Sequence, residues 1–329
     1  SDPSLSMAGS LAPDGSLEAS IGEWSPQGHD AAGTDTAARR FPQPRALVQL
    51  LKPITWFPPM WAFMCGAVSS GQPLGESLWL LAAGVILVGP LVCGGSQIVN
   101  DWFDRHVDAI NEPDRPIPSG RVPGYWGLAY AIAWSLLALA FSSLLGTWVV
   151  GATAVGLVLA WAYSAPPLRL KLNGWWGNAA VGISYEGLAW VTGTAVLLGG
   201  AMPPAPVIWL AVLYSLGAHG IMTLNDFKAI EGDLKIGIRS LPAQLGPDRA
   251  ARLACVVMAV PQLIVIALHL HWGFDWAAAV ISVSVLLQAA AMRRLLTDPR
   301  GLAPWYNGTG VTLYVLGMMV SAFALRGAL

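Results

Sequence analysis

Nine runs of apolar residues, near 53–70, 77–100, 124–145, 147–164, 177–199, 206–226, 249–270, 275–296 and 306–325, alternate along the chain with short polar connections. An α-helix needs about 20 apolar residues to cross ~30 Å of hydrocarbon. The pattern therefore predicts an all-α, polytopic membrane protein with nine transmembrane helices, occupying residues 46–329. Residues 1–45 carry no such run and are rich in Gly, Ser, Ala and Asp. They are expected to be a disordered polar tail rather than a signal peptide, with Ser1–Ser6, ahead of Met7, read as an expression scar.

Charge placement gives the bundle a direction. Only 11% of residues are charged, against roughly a quarter in a soluble domain. Every lysine and arginine except Arg326 falls before the first run or after the second, fourth, sixth or eighth. Short cytoplasmic loops accumulate Lys and Arg, so the N-terminus is expected in the cytoplasm and the C-terminus outside, which an odd number of spans satisfies. A net charge of −1 gives no reason to expect nucleic acid. Cys65, Cys93 and Cys255 all lie in apolar runs and read as packing residues.

Acidic residues are costly near a bilayer, yet they gather in two cytoplasmic segments, Asn100-Asp101-Trp102-Phe103-Asp104-Arg105-His106-Val107-Asp108 and Asn225-Asp226-Phe227-Lys228-Ala229-Ile230-Glu231-Gly232-Asp233. If the second span continues as helix, Asn100, Asp104 and Asp108 stay on one face with Asp101, while Asp226 and Asp233, seven apart, lie almost in line. Clustered carboxylates with Asn carbonyls form an oxygen-only set that repels itself without a hard divalent cation, and Mg²⁺ bridging to phosphate is the usual occupant. Arg105, Arg115, Lys171, Lys228, Lys235 and Arg239 could hold the remaining phosphate charge; taken singly, each could equally serve only to set topology. Both segments follow even-numbered spans, which hints at two four-helix halves plus one helix, with the site between the halves.

Asn100-Asp101-x-x-Asp104-x-x-x-Asp108 matches the NDxxDxxxD signature of the UbiA-type intramembrane prenyltransferases. Asn111–Gly120, Tyr163-Ser164-Ala165-Pro166-Pro167, the second acidic segment with Gly237–Pro242, and Trp305–Gly310 resemble the chlorophyll and bacteriochlorophyll synthase branch, in wording closest to the purple-bacterial enzymes. The resemblance runs over about residues 43–326. It implies a UbiA-type bundle in a bacterial inner (cytoplasmic or intracytoplasmic) membrane, with its active site at the cytoplasmic face. It also implies transfer of a geranylgeranyl or phytyl group from the diphosphate to the propionate carboxylate of bacteriochlorophyllide a, with handover to photosynthetic assembly partners. Asn100, Asp104, Asp108, Asp226 and Asp233 would act through Mg²⁺, with Asp101 and Asn225 as further metal ligands. Many relatives carry DxxxD as the second motif, whereas Ala229 stands four residues before Asp233, which leaves that half's ligand set open.

Three residues fall outside the motifs. Tyr163 could bond phosphate or be an interfacial belt tyrosine. Glu186, inside the fifth run, could position the acceptor or bond a neighbouring helix, and His219 could ligate a tetrapyrrole's magnesium or be an interhelical histidine. The rival readings are the same apparatus with another acceptor (chlorophyllide, a quinone precursor or haem), a membrane transporter and a pigment-binding scaffold.

Overall fold

Within hydrocarbon, a chain must satisfy its backbone hydrogen bonds internally, which leaves helices as the solution for long apolar runs. The computed structural model describes residues 40–328, and no strand occurs among them; a single bridge pairs Asn173 with Arg239. A short helix, α1 (Pro44–Leu50), precedes α2 (Phe57–Ser69), α3 (Gly75–Asn111), α4 (Trp126–Ser143), α5 (Thr147–Ser164), α6 (174–197), α7 (Ala205–Ile236), α8 (Pro247–His271), α9 (Asp275–Leu295) and α10 (Pro299–Arg326). The expected tail lies outside the described residues up to residue 39, and the first helix already takes in Pro44 and Arg45.

Among the described residues seven helices, α3 to α5 and α7 to α10, are long and apolar enough to cross a membrane. All nine expected runs are helical, but two fall short of that standard. The 13 residues of α2 reach only about 20 Å. The α6 helix is long enough but diluted by Asn178, Ser184, Tyr185 and Glu186.

Chain neighbours from α2 to α10 pack side by side, and α10 returns against α2, closing a ring. The second half of α6 crosses the ring to lie along α2. This crossing depends on glycine. A Cβ on Gly66 would stand 2.0 Å from the Trp190 carbonyl oxygen, and one on Gly193 2.0 Å from that of Phe63, so the two backbones touch. Thr194 Oγ1 donates to Gly66 O (2.7 Å) and Trp190 Nε1 to Ser69 Oγ (3.1 Å), locking the contact. Small residues and interhelical hydrogen bonds are how helices associate where the solvent is as apolar as the side chains. The crossing divides the ring into a chamber bounded by α2, α3, α5 and α6 and another bounded by α2, α6, α7 and α10.

Two π-helical stretches, Leu87–Cys93 in α3 and Ile183–Leu188 in α6, line these chambers. Such stretches re-phase a helix, and in α6 they send Glu186 to the second chamber while Tyr185 borders both. Away from the acids, the reciprocal pair Gln262–Gln288 (2.8 and 2.9 Å) and the chain His269–Ser321–Tyr214 (2.8 and 3.0 Å) tie α7 to α10 together. The three cysteines are buried and unpaired.

Gly193→Ala is expected to cost about 2 kcal/mol or more of stability by overpacking, read as a lower thermal midpoint in detergent, whereas Gly151→Ala, which meets open space, leaves it unchanged. Equal midpoints for wild type and Gly193→Ala would remove the close contact as the basis of the crossing.

Candidate active site

The first acidic segment forms the last turns of α3, and helix geometry sorts its side chains. Residues four apart are offset by about 40°, so Asn100, Asp104 and Asp108 step round one broad face, with Asp101, seven before Asp108, at its edge. The structure follows this arithmetic. Asn100 Nδ2 donates to Ser164 Oγ on α5 (3.3 Å), and Asp104 pairs with Lys171 and, at 3.8 Å, with Arg169. Asp101 and Asp108 are buried, Asp101 against Lys52 (2.6 Å) and Arg115 (3.7 Å), and Asp108 against Arg115 (2.9 Å).

Arg115 thus joins Asp101 and Asp108, while Asp108 also lies within electrostatic reach of Asp104 and Lys171. The drift of 3.6 residues per turn against a four-residue spacing carries the stripe round the helix. Arg115 also binds Glu112 (2.6 Å), so the loop after α3 folds back onto its acids. Burial opposes the Arg115 charge, but Glu112, Asp108 and Asp101 outweigh it and push its pKa above the ordinary arginine value. Arg105 turns away, its guanidinium lying 4.0 Å over the Trp102 ring and donating to the Trp102 carbonyl (2.7 Å).

Lys52 and Arg169, read from the sequence only as topology signals, are the two non-glycine residues with positive φ (45° and 38°) among the described residues. Both face motif acids, and strained backbone of this kind gathers where a side chain must be aimed. Nothing in their sequence neighbourhood signals this. Burial pulls the Lys171 ammonium below its ordinary value while Asp104 beside it works the other way.

In the second segment the helix tightens to a 3₁₀ turn over Asp226–Ala229 before resuming at Ile230, which turns Asp233 further round the axis than an α-helix would. Asp226 accepts a long hydrogen bond from Asn178 Nδ2 of α6 (3.5 Å). The Asn225 side chain meets α10, its Oδ1 accepting from Asn307 Nδ2 (2.9 Å). Lys228, Lys235 and Arg239 are exposed. Lys228 lies within electrostatic reach of Asp226, and the Arg239 backbone pairs with Leu172 O and Gly174 N (both 2.8 Å), tying the loop before α6 to the loop after α7.

The two segments meet at Tyr163, which lies within electrostatic reach of Asp104 from α3 and of Asp226 and Asp233 from α7. Among the described residues no three carboxylate, histidine or cysteine side chains close on a single point by themselves. That fits a hard divalent ion held as Mg²⁺ usually is, by one or two carboxylates per ion together with water and phosphate oxygens. The side-chain oxygens of Asn100, Asp104 and Asp108 on α3 and of Asp226 and Asp233 on α7 are of the kind such an ion takes.

Beneath these acids open the two chambers. The first, about 210 Å³, reaches from Asn100 and Tyr163 down between Val88, Val92, Gly156 and Leu188. The second, about 510 Å³, runs from Asn225 and Asn307 past Glu186 to Trp61 and Val315. His219 lies in neither. It borders an open groove with Trp175 and Trp176, and its Nε2 contacts the Trp175 carbonyl (3.1 Å).

A ring of membrane helices with acids from two helices converging over apolar chambers defines an intramembrane prenyltransferase, and residues 55–322 match the UbiA prenyltransferase family. The chain belongs to that family. It is 59% identical to the Bacteriochlorophyll synthase 33 kDa chain of Cereibacter sphaeroides, over 88% of this chain and 95% of the relative, and 57% identical to the protein of the same name from Rhodobacter capsulatus, over 88% and 96%. The fold is shared with a UbiA homologue from Archaeoglobus fulgidus solved with GPP and Mg²⁺ (TM-score 0.63, 20% identity, 82% of this chain and 99% of that one).

Asp104→Asn and Asp226→Asn are each expected to raise the Mg²⁺ concentration for half-maximal activity about 100-fold or to abolish turnover, with the fold retained. Asp101→Asn is expected to lose roughly 1–2 kcal/mol of stability by removing the charge that Lys52 pairs with, Arg115 keeping Asp108 and Glu112, with the Mg²⁺ requirement unchanged. A Mg²⁺ titration beside a thermal melt separates the two, and an altered Mg²⁺ requirement in Asp101→Asn would return that residue to the ligand set.

Proposed function

We propose that the protein is a bacteriochlorophyll synthase, transferring a geranylgeranyl or phytyl group from its diphosphate to the propionate carboxylate of bacteriochlorophyllide a. The observation that carries this reading is Tyr163 within reach of Asp104, Asp226 and Asp233, directly above chambers made of apolar side chains. It is supported by the identity to relatives named for that activity.

The chemistry asks for two things. The diphosphate must be neutralised as it leaves, and the allylic cation must be kept from water. Asn100, Asp104, Asp108, Asp226 and Asp233 would hold Mg²⁺, which when bound supplies Lewis-acid stabilisation of the leaving diphosphate. Lys171 and Arg169, now on Asp104, stand ready to take phosphate oxygens, and the exposed Lys228, Lys235 and Arg239 surround the entrance. As the allylic carbon–oxygen bond breaks, its electron pair stays with diphosphate. The cation is sheltered by the apolar wall of Val88, Val92 and Leu188, where exclusion of water prevents hydrolysis. The propionate, ionised at neutral pH, adds through one oxygen to form the ester, so no strong base is required.

In this reading the chain crosses a bacterial inner membrane nine times, with α2 and α6 joining the seven long helices. The N-terminus and the acids lie at the cytoplasmic side, where the basic loops gather. The ester leaves into lipid for photosynthetic assembly partners.

Purified protein given geranylgeranyl diphosphate, bacteriochlorophyllide a and Mg²⁺ is expected to yield the ester and an equal amount of diphosphate, and chelation with EDTA to stop both. Turnover of chlorophyllide, a quinone precursor or haem with no esterified bacteriochlorophyllide would overturn the choice of acceptor. Absence of diphosphate release with every acceptor would overturn the reaction class.

A further inference from the structure

The two chambers differ in how their polar groups are spent. In the first, the Tyr185 hydroxyl accepts from Gln97 Nε2 (3.2 Å) and Cys93 Sγ (3.4 Å), Ser96 donates to the Cys93 carbonyl (2.6 Å), and Thr192 to that of Leu188 (2.6 Å). These groups satisfy one another, and Asn100 and Tyr163 stand at the end by the acid segments, so the depth of the chamber offers a ligand the apolar wall of Val88, Val92 and Leu188. The second keeps polar capacity in hand. Glu186 lines it at 8% exposure, and its carboxyl makes no hydrogen bond or ion pair among the described residues. Asn225, whose oxygen is taken by Asn307, retains its amide donors. A buried polar group without a partner costs free energy, and here a ligand can supply that partner.

We propose that the second chamber holds the tetrapyrrole acceptor and that Glu186 is the specificity-determining residue, donating its carboxyl proton to a carbonyl on the rim of the macrocycle. The prenyl chain occupies the first chamber. This assignment rests on the prenyl-transfer reading above. A carboxyl inside a membrane span with no cation beside it is neutral, because burying the charge is too costly, and a neutral carboxyl is a hydrogen-bond donor. The ketone, acetyl and ester groups on a bacteriochlorin rim only accept. Scale agrees as well. Asn178, which contacts Asp226, and Glu186 are eight residues apart on α6, or roughly 12 Å along its axis. A propionate at the acid cluster would thus leave the ring lying along α6 with a rim carbonyl at the depth of Glu186. The chamber's volume, about 510 Å³, falls within the ~300–1,000 Å³ of small-molecule sites.

The test compares full-length wild type with Glu186→Leu and Glu186→Gln, the amide keeping an N–H donor. Glu186→Leu is expected to raise KM for bacteriochlorophyllide about 10-fold, the effect of one hydrogen bond, with KM for geranylgeranyl diphosphate unchanged; Glu186→Gln stays near wild type. Wild type should also discriminate against an acceptor whose ring ketone is reduced to the alcohol, and Glu186→Leu should not. A change in KM for the prenyl diphosphate, a fall in kcat alone, or no change in any variant overturns the assignment while wild-type turnover preserves the parent reading. Failure of wild type to esterify bacteriochlorophyllide removes both.

Discussion

Where α2 and α6 touch, there is no room for a side chain: the Gly66 and Gly193 backbones meet directly, each glycine against the other helix's carbonyl. Hydrophobic burial gives helices in lipid little reason to associate, so such a contact, with its two hydrogen bonds, must do much of that work. Its consequence is architectural. Because the second half of α6 lies along α2, its first half stands between the two chambers, with Trp175 and Trp176 exposed on its other side. From there Asn178 reaches Asp226, and the π-helical stretch that follows presents Glu186 to the chamber on the α7 side.

Charge is handled by segregation. Asp101 and Asp108 are neutralised within the protein by Lys52 and Arg115, an arrangement that braces α3 against the loops around it. Asp104, paired with Lys171 and Arg169, lies with Asp226 and Asp233 within electrostatic reach of Tyr163. Mutual repulsion among such carboxylates is the drive for a divalent ion and a diphosphate to enter together.

The long apolar runs were legible because lipid imposes a length and a composition on every spanning helix, and the acid segments because carboxylates at a bilayer are costly enough to need a reason. The shared grip of Arg115 on Asp101 and Asp108 was legible in principle, since positions seven apart share an azimuth, but the four-residue spacing of the motif draws the eye along one stripe. Lys52 and Arg169 were not legible: their roles come from left-handed backbone in loops, set by tertiary contacts. Neither was the difference between the chambers, because Glu186 and Tyr185 are adjacent in sequence and only the π-helical stretch decides which cavity the carboxyl enters. The short α2 and the polar-diluted α6 read as ordinary spans, although their departures from that type accompany the crossing.

All of this turns on acids from α3 and α7 serving one metal-bound diphosphate. The most direct measurement is a structure of the protein with a non-hydrolysable geranylgeranyl diphosphate analogue and Mn²⁺ in place of Mg²⁺, the metal located by its anomalous signal. The account predicts metal between the segments, with oxygen ligands from Asp104 on one side and from Asp226 or Asp233 on the other, and diphosphate completing the coordination. Metal bound by one segment alone, with the other's carboxylates turned away, would contradict it.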